Sequence, residues 1–177
     1  MAVPSPATYQ DQAVQAMKAV LGASTEFMAA SALPGATGKV LRVDAYDAFV
    51  PRVATSGDVY CGVFLLGDQL GGTKTINRQE RLTDVAVLVF GKTTVGQEQH
   101  QRTGRPVLWQ DCARAASVVT KLVAQETHGG GGRFDGFAPI ADVLKTEVEE
   151  DHDESKSQYS VTATSVVRMH VYLQIGA

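Results

Sequence analysis

The chain has 177 residues, 44% of them hydrophobic, and a formal charge of −3, with a sequence pI near 5.8. That length predicts a single domain spanning 1–177, with enough apolar material for a real core, and the acidic balance excludes a protein that grips nucleic acid through its phosphates. No apolar run approaches the length of a bilayer span, and the opening MAVPSPATYQ has neither the basic nor the apolar region of a secretory signal, so no membrane partner is expected.

Taken in chain order, Ala7 to Leu21 reads as a helix, with Ala13, Val14, Met17, Val20 and Leu21 on one face and Gly22 as its stop. Residues 23–38 are rich in Ala, Ser and Gly and predict a loop or a short helical turn followed by a break. Val40 to Phe49 predicts a strand in which Leu41, Val43 and Ala45 alternate with Arg42 and Asp44, ended or placed at an edge by Pro51. Val59 to Leu66 is a short apolar strand, and Leu82 to Phe90 is a second. The polar segments around them, 67–80 and 91–105, read as long loops, the first as a hairpin loop. Leu108 to His128 carries the cleanest helical stripe, Leu108, Cys112, Ala115, Ala116, Val119, Leu122 and Val123, with Asp111 as a candidate N-cap. Trp109 reads as an anchor between this helix and the sheet. Four glycines from Gly129 end it, and 129–138 reads as a third extended loop.

Ile140 to Val148 is the next strand, followed by an acidic run from Glu147 to Glu154 that reads as a turn. The last strand is the most explicit element of the chain. Tyr159, Val161, Ala163, Ser165, Val167, Met169, Val171, Leu173 and Ile175 occupy its odd positions, and mostly polar residues its even ones. Strict period two means one face against a core. At about 3.3 Å per residue the run extends roughly 55 Å, against roughly 17–20 Å for an ordinary strand. The excess length predicts a hairpin that projects at its Tyr159 end, with Val167 to Leu173 in the core and Tyr159 to Ala163 outside it. The expected fold is therefore α+β: a mixed, mainly antiparallel sheet of four to five strands, two helices packed on one face and a long C-terminal β-hairpin.

Val59 to Leu66 and Val85 to Phe90 are apolar on both faces, whereas a sheet with one wet face would alternate. Two helices cover one face; the other is covered by folded-back loops or by another subunit, and the subunit is the favoured reading. The motifs of common chemistries are missing. The glycine run before Arg133 follows a helix, lacks the Lys-Ser/Thr ending of a phosphate loop and opens no helix, so it reads as a connector. Asp151-His152-Asp153-Glu154 shows no zinc or calcium spacing and reads as solvated. His100, His128 and His170 are scattered, with His128 placed to cap a helix and His170 on the polar face of the last strand. Cys61 and Cys112 form no C-x-x-C and read as small buried hydrophobes. The expectation is a non-enzyme without cofactor or metal.

The order helix, strand, strand, strand, helix, strand, strand resembles the tail terminator and tail-completion proteins at the head-tail junction of long-tailed bacteriophages. The resemblance rests on the strand exit Arg42-Val43-Asp44-Ala45-Tyr46-Asp47-Ala48-Phe49-Val50-Pro51, the Val59–Leu66 and Thr83–Phe90 strands, the Ala113–Val123 helix and the ending Leu173-Gln174-Ile175. It is one of pattern and carries no signature motif, and the long loops and four-glycine connector depart from it. It implies a virion protein, assembled in the host cytoplasm, that forms a homo-oligomeric, hexameric ring. Such a ring ends the tail tube and joins it to the neck, with the tube protein and a head-completion protein as partners and DNA passing through the lumen without specific binding. The alternative is another neck or tail ring, such as a head-tail stopper or tube protein; a small-molecule-binding or enzymatic α/β domain stands behind it. Candidate subunit or partner contacts are Tyr60, Phe64, Phe134, Phe137, Tyr159, His170 and Tyr172. Candidate lumen lining is Glu147, Glu149, Glu150, Asp151, Asp153 and Glu154, because acidic walls repel phosphates.

Overall fold

A computed structural model describes residues 6–31, 39–44, 46–49, 59–94, 101–102, 105–128, 134, 138 and 140–174. Helix α1 (Pro6–Ala23) leads into α2 (Thr25–Ala30), whose first turn is capped by the Ser24 hydroxyl accepting from the Phe27 N–H at 3.1 Å. Strand β1 (Val40–Arg42), the short helix α3 (46–49), and the long strands β2 (Tyr60–Lys74) and β3 (Arg78–Thr94) follow. A two-residue pair, β4 (Gln101–Arg102) and β5 (Arg105–Pro106), precedes helix α4 (Val107–His128). Strands β6 (Ile140–Asp153) and β7 (Gln158–Gln174) close the chain. The main sheet runs β1-β2-β3-β7-β6, parallel between β1 and β2 and antiparallel elsewhere. This is the expected α+β architecture, with its five strands and C-terminal hairpin.

One face of the sheet and the helices form the main core. From α1 it takes Tyr9, Ala13, Val14, Met17, Val20 and Leu21, and from α4 the stripe Cys112, Ala115, Ala116, Val119, Leu122 and Val123, with Trp109 packed against it. The sheet contributes Cys61 and Val63, then Val85, Val87 and Val89, then the odd positions of β7. Both thiols are free and fully buried, and burial pushes the Cys112 thiol up to about 12, with Asp111 adding to the effect. They are core residues, not nucleophiles.

The final strand is where the expected picture changes most. Tyr159 and Val161 are 0% exposed and Ala163 1%, so the Tyr159 end does not project from the subunit. The reason is pairing: β3 runs beside β7 from Arg78 opposite Gln174 to Thr94 opposite Gln158, and β6 runs beside its other edge to Asp153 opposite Gln158. A strand paired on both edges from Gln158 to His170 has no excess at its Tyr159 end. The acidic run is likewise part of β6; the turn is a single 3-10 turn at Glu154–Lys156, closed by Ser157 in the left-handed conformation.

Two predicted loops are also strand. Segment 67–80 continues β2 and β3 past a bulge between Leu65 and Gly67, and the chain reverses tightly where the Thr75 N–H donates to the Arg78 carbonyl at 2.8 Å. Residues 91–94 extend β3, and 101–102 pairs with 105–106. The rest of that predicted loop, and the glycines from Gly129, lie outside the described residues. The predicted Val40–Phe49 strand is shorter, because after Arg42 the chain turns away and 46–49 forms helix α3. That helix carries Phe49 over the second face of the sheet, where its ring would lie 3.1 Å from a Cβ at Gly62. Phe49, Phe64, Ala86, Leu88 and Phe90 form a second buried cluster, flanked by Leu41, Val43 and Tyr60. The chain's own segment therefore covers this part of the second face, and no neighbouring subunit is needed there.

Phe49 is 1% exposed and is the lid of that cluster. Phe49→Ala should lower stability by about 3–5 kcal/mol, read as a fall in the urea midpoint, while the helix-side core keeps its far-ultraviolet circular dichroism.

Candidate assembly surfaces

The functional surfaces follow from how each long strand divides its side chains. On β6, Glu147, Glu149, Asp151 and Asp153 lie opposite Thr164, Thr162, Ser160 and Gln158, the even positions of β7, and so share the open face. Glu150 and His152 point to the helix side. There Tyr159 Oη donates to Glu150 Oε2 at 3.0 Å, and the His152 and Tyr159 rings lie 4.7 Å apart. The predicted lining therefore splits. Four carboxylates form one column, Glu150 belongs to the other face, and Glu154 sits exposed in the turn. Lys145 pairs with Glu147 at 2.6 Å and Lys156 with Asp153 at 2.9 Å. The Ser155 hydroxyl and Lys156 hold the Asp153 carboxyl down to about 2.

At the other end of the open face the residues are polar but satisfied. Arg168 makes two 2.8 Å bonds to Asp84, a bidentate pair across β3 and β7. Glu80 accepts from His170 Nδ1 at 2.7 Å, from the Thr73 N–H at 2.9 Å and from Tyr172 Oη at 3.4 Å. The His170 and Thr73 bonds hold its carboxyl below the usual range. Its side chain lies over Gly71, where a Cβ would fall 2.4 Å from Glu80 Cγ, so only glycine fits. On the helix side, Asp68 accepts from Tyr9 Oη at 2.5 Å, from Thr83 at 3.1 Å and from the Arg81 guanidinium. Burial alone would raise the Asp68 carboxyl; the bonds from Arg81, Tyr9 and Thr83 outweigh it and leave it depressed. These bonds fix the β2–β3 hairpin to α1 and β7, and sequence patterns gave no sign of them because their members are far apart in the chain.

The predicted contact residues are mostly committed within the subunit. Phe134 and Tyr159 are both 0% exposed within the main core, so neither is offered to a neighbour. Phe64 is buried in the second cluster. Tyr60 is half-buried, with the Lys39 ammonium 5.5 Å from its ring centroid. His170 and Tyr172 are half-buried around Glu80, and Phe137 lies outside the described residues. The exposed apolar side chains are others: Leu65, Leu66, Leu70 and Ile76 along β2 and its turn, Ile140 and Leu144 on β6, and Tyr46 on α3.

Most of these line the sheet's two free borders. Beyond Val63, where β1 stops, β2 has no strand on its outer side among the described residues, and β6 has none along its whole length. Each border carries a bulge whose extra residue is an exposed leucine, Leu66 at 51% and Leu144 at 48%. Among the described residues no group of His, Cys, Asp or Glu is placed to hold a metal ion, and no helix is long and apolar enough to cross a membrane.

The depressed Asp68 and Glu80 carboxyls contribute stability that is fully present above their unfolded values and is lost as the pH falls through the folded ones. Stability should therefore drop below about pH 4. Asp68→Asn should lower stability at neutral pH and flatten this acid limb, as measured by thermal melts across pH 2 to 7.

No protein-family model matches the chain, and no curated protein matches it. Among solved structures it is similar to a chain of the virion of a native gene transfer agent (GTA) particle, with a TM-score of 0.48 and 13% identity, over 94% of this chain and 99% of that one.

Proposed function

We propose that this is a structural virion protein of a long-tailed bacteriophage, a ring at the end of the tail tube that joins it to the neck. The observation that carries the reading is the pair of unlike free borders. A closed ring needs a heterologous contact, in which one surface meets a different surface of the next copy. The apolar β2 border, with Leu66 and Leu70, and the β6 border, with Ile140 and Leu144, lie at opposite sides of the sheet and supply two such surfaces. Unpaired strand borders join readily by main-chain hydrogen bonding.

In this arrangement the helices face outward and the open face lines the lumen. Its Asp84–Arg168 pair is neutralised internally, Glu80 is held by His170, Thr73 and Tyr172, and the column beginning at Glu147 leaves a net negative wall. Such a wall lets DNA pass without binding it. The role is mechanical and calls for no catalytic step or cofactor. The element order supports this reading over a ligand-binding domain.

Purified protein mixed with tail tubes should cap them as a ring, six subunits being the expected number by light scattering and negative-stain microscopy. Leu66→Lys with Leu70→Lys should abolish the ring and leave the melting temperature within about 2 °C, since both side chains are already exposed. Particles lacking the protein should carry overlong tails. Normal detached tails would reassign it as a joining ring, absent tails as a tube protein, and a wild-type chain that never engages tubes would sink the proposal.

A further inference from the structure

The β2–β3 turn and the far end of the open face are complementary. Ile76, at the turn, is 94% exposed, and Lys74 and Arg78 flank it, both exposed. At the opposite end of the sheet, between α3 and the β6–β7 turn, lies a groove of about 700 Å³. Its apolar part is Tyr46, 40% exposed, and Phe90; its rim carries three open-face carboxylates, Glu149, Asp151 and Asp153, against two lysines, Lys92 and Lys156. Lys156 is already held by Asp153 at 2.9 Å, so the rim presents net negative charge.

The turn cannot reach the groove of its own subunit. Arg78 and Lys92 lie on the same strand, about 48 Å apart at roughly 3.4 Å per residue. We infer that the occupant is the turn of a second copy: Ile76 enters the groove against Tyr46 and Phe90, while Lys74 and Arg78 meet Glu149 and Asp151. The contact joins copies end to end along the strands, whereas the ring contact joins them side by side. It therefore stands independently of the ring, and where both form, Glu149 and Asp151 serve the contact between rings and Glu147 remains toward the lumen.

The full-length chain carrying Leu66→Lys and Leu70→Lys isolates the end-to-end contact, because it lacks the lateral one. Sedimentation velocity at low salt should show its mass rising with concentration, and high salt should reverse the rise. In that background, Lys74→Glu with Arg78→Glu should give a monomer, and so should Glu149→Lys with Asp151→Lys. Both should melt as the parent does. An equimolar mixture of the two variants should associate again, because the reversed turn fits the reversed groove. A parent that stays monomeric at every concentration, reversed variants that associate like the parent, or a mixture that stays monomeric would each overturn the inference. Tube capping by the wild-type chain reports on the ring separately.

Discussion

The structure depends on one constraint, that β7 is paired on both sides from Gln158 to His170 and by β3 alone beyond it. Seventeen residues form its ladder with β3, and β6 follows its other edge from His170 to Gln158. Every backbone N–H and C=O of a central strand must find a neighbour's partner, so the length of β7 dictates that β3 and β6 be nearly as long. Its odd face, from Tyr159 to Val171, is buried without a break, including Ser165 at 1% exposure. Helices α1 and α4 are then laid over that face.

So long a sheet has more surface than two helices can cover, and the chain resolves this by composition. Where the second face is apolar, α3 folds Phe49 onto Gly62 and closes a small core. Where it is uncovered, it is polar, and its side chains are bonded across strands: Asp84 to Arg168, and Glu80 to His170. Cross-strand pairs of this kind contribute modestly, on the order of 0.2–1 kcal/mol each. Their larger effect is to fix register, because a slip of one residue would set Asp84 against the helix-side core. The Glu80 cluster also ties Thr73, on one arm of the β2–β3 hairpin, to β7, which holds the hairpin in line with the sheet.

The fold was legible wherever burial is one-sided. The α1 and α4 stripes and the alternation of β7 are written at single-residue resolution, because each has one face in a core and one in water. The outer halves of β2 and β3 were not, since there both faces are polar and Gly67, Gly71 and Gly72 look like loop residues. Gly71 is instead required by the Glu80 side chain above it. The acidic run misled in the same way: carboxylates suggest a turn, yet on a border strand they are simply its solvent side. Aromatic residues were poor guides to surface, because Phe64, Phe134 and Tyr159 are large enough to be drawn into cores. The better signal was the Leu65-Leu66 step in β2, where two consecutive leucines cannot both face one core; a bulge falls there, and both are exposed.

The two borders of the sheet also bear on how copies combine. An open strand border invites pairing with any other, and proteins restrict the choice with charge and bulges. Two β6 borders brought together would oppose their Glu147-to-Asp153 columns at close range, and like charges directly across a sheet are destabilising. A β2 border carries no such column, since Asp68 is turned inward and bonded to Arg81 and Tyr9, and Leu66 and Leu70 are what it presents. Charge thus disfavours the β6–β6 pairing without penalising β6 against β2. An unlike contact of β6 with β2 escapes this penalty, and it is the heterologous kind of contact that the proposed ring requires. A twofold dimer through β2 alone would leave both β6 borders open, and the acidic column is the feature that keeps such borders from joining at random.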